Sequence, residues 1–179
     1  MIEMTVWLAP LAAAIRIALG LLFLQAAWGK TRDAGAFSDI VLNYRLLPRL
    51  AARPAAAALV VAEYAATALL LSGMQQHFAG GLAAALFAVF TVAMAVNLLR
   101  GRADISCGCL PAYAARASLS WTRVTMTALL IPLALLAGAA WPVSGMATLA
   151  QADLAGLLLF TLYDAAVRLA ATPRAGARS

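Results

Sequence analysis

The sequence predicts an all-α integral membrane protein, a compact bundle of four to five transmembrane helices forming a single membrane domain over residues 1–179. Three observations carry this reading. Hydrophobic residues make up 65% of the chain and charged residues only 11%, where soluble domains carry about 25% charged residues. The apolar residues fall in runs close to the ~20 residues a helix needs to cross a bilayer. The basic residues, finally, are confined to alternate connections between those runs, a signature of membrane topology.

The first span covers residues 6–28 and is interrupted only by Arg16. Its start is acidic, with Glu3 and no Lys or Arg before Arg16, and it exceeds the roughly 7–15 apolar residues of a cleaved signal peptide. It reads as a retained helix. In the connection that follows, Phe37, Ile40, Val41, Tyr44 and Leu47 recur at spacings of three and four. That pattern predicts a short amphipathic helix on the membrane surface, ended by Pro48, with a lid or docking element as its functional reading. The second span, residues 54–73, surrounds Glu63, and the third, residues 79–99, has no charge at all. The fourth, residues 120–141, contains Pro132, which removes a backbone hydrogen bond and predicts a kink. The last, residues 147–167, carries Asp153 and Asp164. Small residues, as in AAAALVVAEYAA, let such helices approach closely where lipid gives no hydrophobic drive between them.

The formal net charge of +6 is topological. Lys30, Arg32, Arg45, Arg49 and Arg53 lie between spans one and two, Arg100, Arg102, Arg116 and Arg123 between three and four, and Arg168, Arg174 and Arg178 after five. Connections 74–78 and 142–146 carry no Lys or Arg. With five spans, every basic residue outside the first helix falls on one side. The positive-inside rule then predicts a multi-pass protein of the bacterial inner (cytoplasmic) membrane, with its N-terminus outside and its C-terminus on the cytoplasmic side. The partner this charge implies is the lipid bilayer, and a nucleic-acid role is excluded.

Arg16 and Glu63 would each cost about 2.5–3.5 kcal/mol at the bilayer centre, so both should face the interior and find partners. At ~1.5 Å per residue from the basic ends of their helices, Arg16 lies roughly 18 Å up and Glu63 roughly 13 Å. An arginine can bridge that gap, which predicts a structural ion pair between the two. The functional alternative makes Glu63 a proton carrier or polar ligand in a cavity lined also by Gln25 and Asn97.

The only two cysteines lie in ISCGCLP, residues 105–111, on the same basic side. Cys107 and Cys109 could close a very small disulfide ring, for which Gly108 supplies the backbone freedom. Strained or exposed disulfides exchange readily, and the positive charge of Arg102 and Arg116 on either side raises the reactive thiolate fraction. Two alternatives stay open. Paired thiolates bind soft metals, but a closed site usually wants three or four ligands, and the one histidine, His77, falls at the other side, so no metal site is assigned. Otherwise, the cysteines are inert small residues at a bend.

The order of motifs is more specific than any one of them. RIALGLLFLQAAWGK, then FSDIVLNYRLLP, AEY, CGCLP and SLSWTRV together resemble the methylamine utilization protein MauE family, related to DoxX-like membrane proteins, over about residues 15–130. The family pattern falls on Arg16, Lys30, Tyr44 to Pro48, Glu63 and Cys107 to Cys109. Leu110 and Pro111 stand where the family commonly has Phe and Gly. The resemblance implies a small membrane protein that assists maturation of the methylamine dehydrogenase small subunit, a disulfide-rich periplasmic polypeptide, alongside a thioredoxin-like protein of MauD type. Lys30, Tyr44 and Pro48 are the positions it offers for docking such a partner.

The implied client and the predicted topology conflict, because a cytoplasmic Cys-Gly-Cys loop cannot directly oxidise a periplasmic protein. The loop dips into the bundle and meets a membrane quinone, or the orientation is inverted, or the pair exchanges with a cytosolic thiol. A non-catalytic scaffold or transporter subunit is the alternative of a different class.

Overall fold

A computed structural model describes residues 2–105, 119–139 and 146–171. The described residues form six helices and no strand: α1 (Ile2–Arg32), α2 (Ala34–Asn43), α3 (Arg49–Ser72), α4 (Gln76–Leu99), α5 (Trp121–Gly138) and α6 (Met146–Ala171). Four of them, α1, α3, α4 and α5, contain stretches long and apolar enough to cross a membrane. Their outward faces carry Val61, Val92, Leu129 and other large apolar side chains that no protein neighbour covers. In water that surface would be a liability; against acyl chains it is the expected exterior. The protein is an all-α membrane bundle.

The bundle closes where side chains are smallest. Gly20 on α1 faces Leu70 and Leu71 on α3, and because Lys30 meets Glu63 further along, the two helices are antiparallel. On α4, Gly80 lies so close to α5 that an added Cβ would come within 2.6 Å of the Ala134 carbonyl oxygen; one on Gly138 would come within 2.8 Å of Gly80 Cα. These are the close backbone approaches that membrane helices use in place of hydrophobic drive. Helix α6 runs beside α1 in the same direction: Gly156 meets Ala14 and Ile17, and Asp164 accepts a 2.9 Å hydrogen bond from Gln25 Nε2.

These directions gather the C-termini of α1 and α4 and the N-termini of α3 and α5 at one end, with Lys30, Arg32, Arg45, Arg49, Arg53, Arg100, Arg102 and Arg123. At the other end Gly73 (φ 69°) closes α3 in the left-handed conformation that suits glycine, and α4 begins within three residues.

Local boundaries differ from the sequence expectation at two prolines. Helix α2 starts under an Asp33 cap, whose Oδ1 accepts from Ala36 N at 3.1 Å, and stops at Asn43, because Arg45 turns left-handed (φ 49°). The amphipathic helix therefore ends before Pro48, and Pro48 (φ −57°, ψ 148°) instead stands as the N-cap of α3. That helix takes in residues 49–53 ahead of Pro54, and α5 runs on through Pro132.

Candidate functional site

An ion pair between Lys30 Nζ and Glu63 Oε1 lies inside the bundle, with both side chains almost fully buried. Helical side chains lean toward the N-terminus of their own helix. Helix α1 runs toward the basic end, so Lys30 leans back into the bundle; α3 runs away from that end, so Glu63 leans down to meet it. The ammonium also lies 5.1 Å from the Phe37 ring centroid and 4.9 Å from that of Phe90, distances at which aromatic faces attract a cation. The remaining carboxylate oxygen, Oε2, is buried without a hydrogen-bond partner among the described residues.

This corrects the expected pairing of Glu63 with Arg16. Arg16, on the same helix as Lys30, also leans away from the basic end and so away from Glu63; its guanidinium lies against Gly73 at the C-terminal end of α3, where the negative end of the helix dipole favours a cation. Its Nε has no hydrogen-bond partner among the described residues. Lys30 and Tyr44 are buried, at 5% and 7% exposure, so neither presents a docking surface to a protein partner. Pro48 is exposed but serves to start α3.

A second polar centre fixes the loop after α4. Asn97 is fully buried; its Nδ2 donates to Ala93 O at 3.0 Å, and its Oδ1 accepts from Arg102 Nη1 at 3.2 Å. The Arg102 backbone N–H also donates to Asn97 O at 3.0 Å. Leu119 N–H then donates to Ala103 O at 2.9 Å, so the chain leaving α4 and the chain entering α5 are tied together. Ser120 caps α5 through its side chain and Arg123 N, and Ile105 packs against the core. Cys107, Gly108, Cys109 and Arg116 lie outside the described residues; the clamp fixes the base from which that segment departs. Gln25 sits apart, joined to Asp164 on α6.

The sequence reading missed the Lys30–Glu63 pair because it ended the first span at residue 28 and so left Lys30 in the aqueous connection. The available signal was side-chain direction on antiparallel helices: Arg16 and Lys30 both lean away from the basic end, which carries Arg16 away from Glu63 and brings Lys30 toward it. The clamp between Ala103 and Leu119 has no sequence signature, since backbone hydrogen bonds across a loop depend only on where its ends are held.

Comparison with known proteins completes the description. A family described as methylamine utilisation protein MauE matches residues 8–145. A methylamine utilization protein MauE from Paracoccus versutus is 42% identical over 163 residues, covering 89% of this chain and 87% of its own length. The protein of the same name from Paracoccus denitrificans is 38% identical over 153 residues, 84% and 82% of the two chains, and that from Methylorubrum extorquens is 37% identical over 172 residues, 92% and 89%. No solved structure matches. The chain belongs to the MauE family.

Proposed function

From membership in the MauE family, we propose that this protein is an accessory membrane protein of methylamine utilisation that supports maturation of a partner protein by thiol–disulfide exchange at Cys107 and Cys109. The observation that carries the reading is the clamped base of the Cys-Gly-Cys segment. Ile105, two residues before Cys107 in the sequence, is seated on the core. Arg102, held by Asn97, supplies positive charge at the same base, which favours thiolate over thiol.

The exchange is balanced between two protein couples. A thiolate of the Cys107/Cys109 dithiol attacks one sulfur of a partner disulfide, forming a mixed disulfide and releasing the partner's other sulfur as a thiolate. The second cysteine of the pair then attacks the mixed disulfide. The partner leaves as a dithiol and Cys107–Cys109 remains as a disulfide, so two electrons and two protons have moved to the partner. Run in reverse, the same steps oxidise a partner dithiol. By family resemblance the partner is a thioredoxin-like protein of MauD type and the client the methylamine dehydrogenase small subunit. The positive-inside rule supports a cytoplasmic-face position for the pair, so in this reading the pair exchanges with the partner and does not touch the periplasmic client directly.

Replacing both cysteines with serine tests the reading. Client maturation, followed by the disulfide state of the client, should be lost, and Cys107→Ser or Cys109→Ser alone should trap a mixed disulfide with the partner. Unimpaired maturation in the double variant would assign the protein a non-catalytic scaffold role instead.

A further inference from the structure

Two cavities that the exchange chemistry does not use adjoin each other at the basic end. The first, of about 120 Å³, lies under α2, between Phe37, Ile40 and Val41 on one side and Leu59, Val89, Phe90 and Ala93 on the other. Its walls are almost wholly apolar. The second is a wider, open recess of about 850 Å³ that includes Asp39, Arg45, Arg49 and Arg53. Leu47 lines both, so a slot for hydrocarbon continues into a basin for charge. The three arginines are exposed, and among the described residues none has an ion-pair partner. Arg45 is presented by a left-handed residue (φ 49°), and its carbonyl oxygen accepts a 3.5 Å hydrogen bond from Arg100 Nη1, so the turn that aims it is anchored to the end of α4.

We propose that this paired cavity binds one anionic phospholipid of the surrounding membrane, its phosphate held by Arg45, Arg49 and Arg53 and one acyl chain lying in the slot beneath α2. Charge complementarity selects the headgroup. Three guanidinium groups face one carboxylate, and arginine forks match phosphate oxygens in a bidentate way. Depth selects the tail. The recess lies at the mouth of the bundle where lipid headgroups sit, and the slot opens toward the hydrocarbon through Val89, which is 52% exposed. A quinone fits less well, because its head carries no negative charge for the three arginines to neutralise. Basic recesses at this face of membrane proteins recognise anionic headgroups in the same way.

The test uses the full-length protein, delipidated in detergent and titrated with phosphatidylglycerol, phosphatidylcholine, ubiquinone and inorganic phosphate, with retention read by native mass spectrometry and stabilisation by thermal unfolding. One phosphatidylglycerol should be retained and should raise the unfolding temperature more than phosphatidylcholine does. The Arg45→Gln/Arg49→Gln/Arg53→Gln variant should lose that preference, by on the order of a hundredfold in relative affinity for three charges near the surface. All three side chains are exposed, so the variant keeps its fold, which its helical content verifies. A second variant, Ala93→Phe, fills the slot and should weaken phosphatidylglycerol while leaving inorganic phosphate binding unaltered. Equal retention of both phospholipids, phosphate binding as tight as the lipid's, or ubiquinone displacing phosphatidylglycerol would each overturn the proposal.

Discussion

The two ends of the bundle are sealed by different means. At the Gly73 end the connection between α3 and α4 is three residues long, Gly80 and Gly138 bring α4 and α5 into backbone contact, and Arg16 lies against a helix terminus rather than a carboxylate. At the basic end the connections are long, α2 folds back over the groove between α3 and α4, and closure depends on the Lys30–Glu63 pair, the Asn97–Arg102 hydrogen bond and the Ala103–Leu119 clamp. Packing of small residues brings the backbones of α4 and α5 into contact. Charge and hydrogen bonds hold an end together while leaving cavities between the elements. The two cavities and the arginines from Arg32 to Arg102, with Arg123, belong to the end that is not sealed by packing.

Breaking the basic end should therefore cost most when a buried charge is stranded. Glu63→Ala leaves the Lys30 ammonium buried without its carboxylate, and removing one partner of such a pair costs about 3–5 kcal/mol. The expected outcome is a large fall in unfolding temperature and in the yield of inserted protein. Replacing both residues by methionine removes the stranded charge and should restore most of the stability, which separates the loss of the pair from the burden of an unpaired ion.

The sealed end should respond to volume instead. Gly80→Leu drives a side chain into the Ala134 carbonyl and Gly138, and overpacking of this kind costs about 1–3 kcal/mol. The same change at Gly81, where an added Cβ meets nothing within 4 Å, should be close to neutral. If the two variants unfold alike, small-residue contact is not what closes this end.

The smallest effect distinguishes a cap from the clamp around it. Ser120→Ala removes the side-chain acceptor at the start of α5, worth typically about 1 kcal/mol. The backbone bond from Leu119 to Ala103 survives the change. Thermal unfolding should move slightly, while thiol exchange at the neighbouring segment should keep its rate.

The difference between the ends also shows what a sequence discloses. Helices α1, α3, α4 and α5 were legible because a run of about 20 apolar residues is dictated by bilayer thickness alone, and the amphipathic pattern of Phe37, Ile40 and Val41 marked a helix that does bury Phe37, with Tyr44 buried at its C-cap. Glu63 and Asn97 were recognisable as interior polar residues because lipid offers them nothing. Their partners were not. Choosing Lys30 over Arg16 for Glu63 requires the relative heights of two helices and the lean of each side chain, and counting residues from assumed span ends set those heights wrongly. The end of α2 was misplaced for a related reason. Pro48 limits where a helix can continue, but the left-handed turn at Arg45 had already stopped it.

The central claim, that the segment departing from the clamped basic end carries a cycling Cys107–Cys109 pair at the cytoplasmic face, is tested most directly by mass-shift trapping. A membrane-impermeant thiol reagent is applied to intact spheroplasts and to inverted membrane vesicles, each with and without prior reduction. The account predicts labelling of both cysteines only in inverted vesicles and only after reduction. Two free thiols that label without any reductant, or labelling from the spheroplast side, would contradict it.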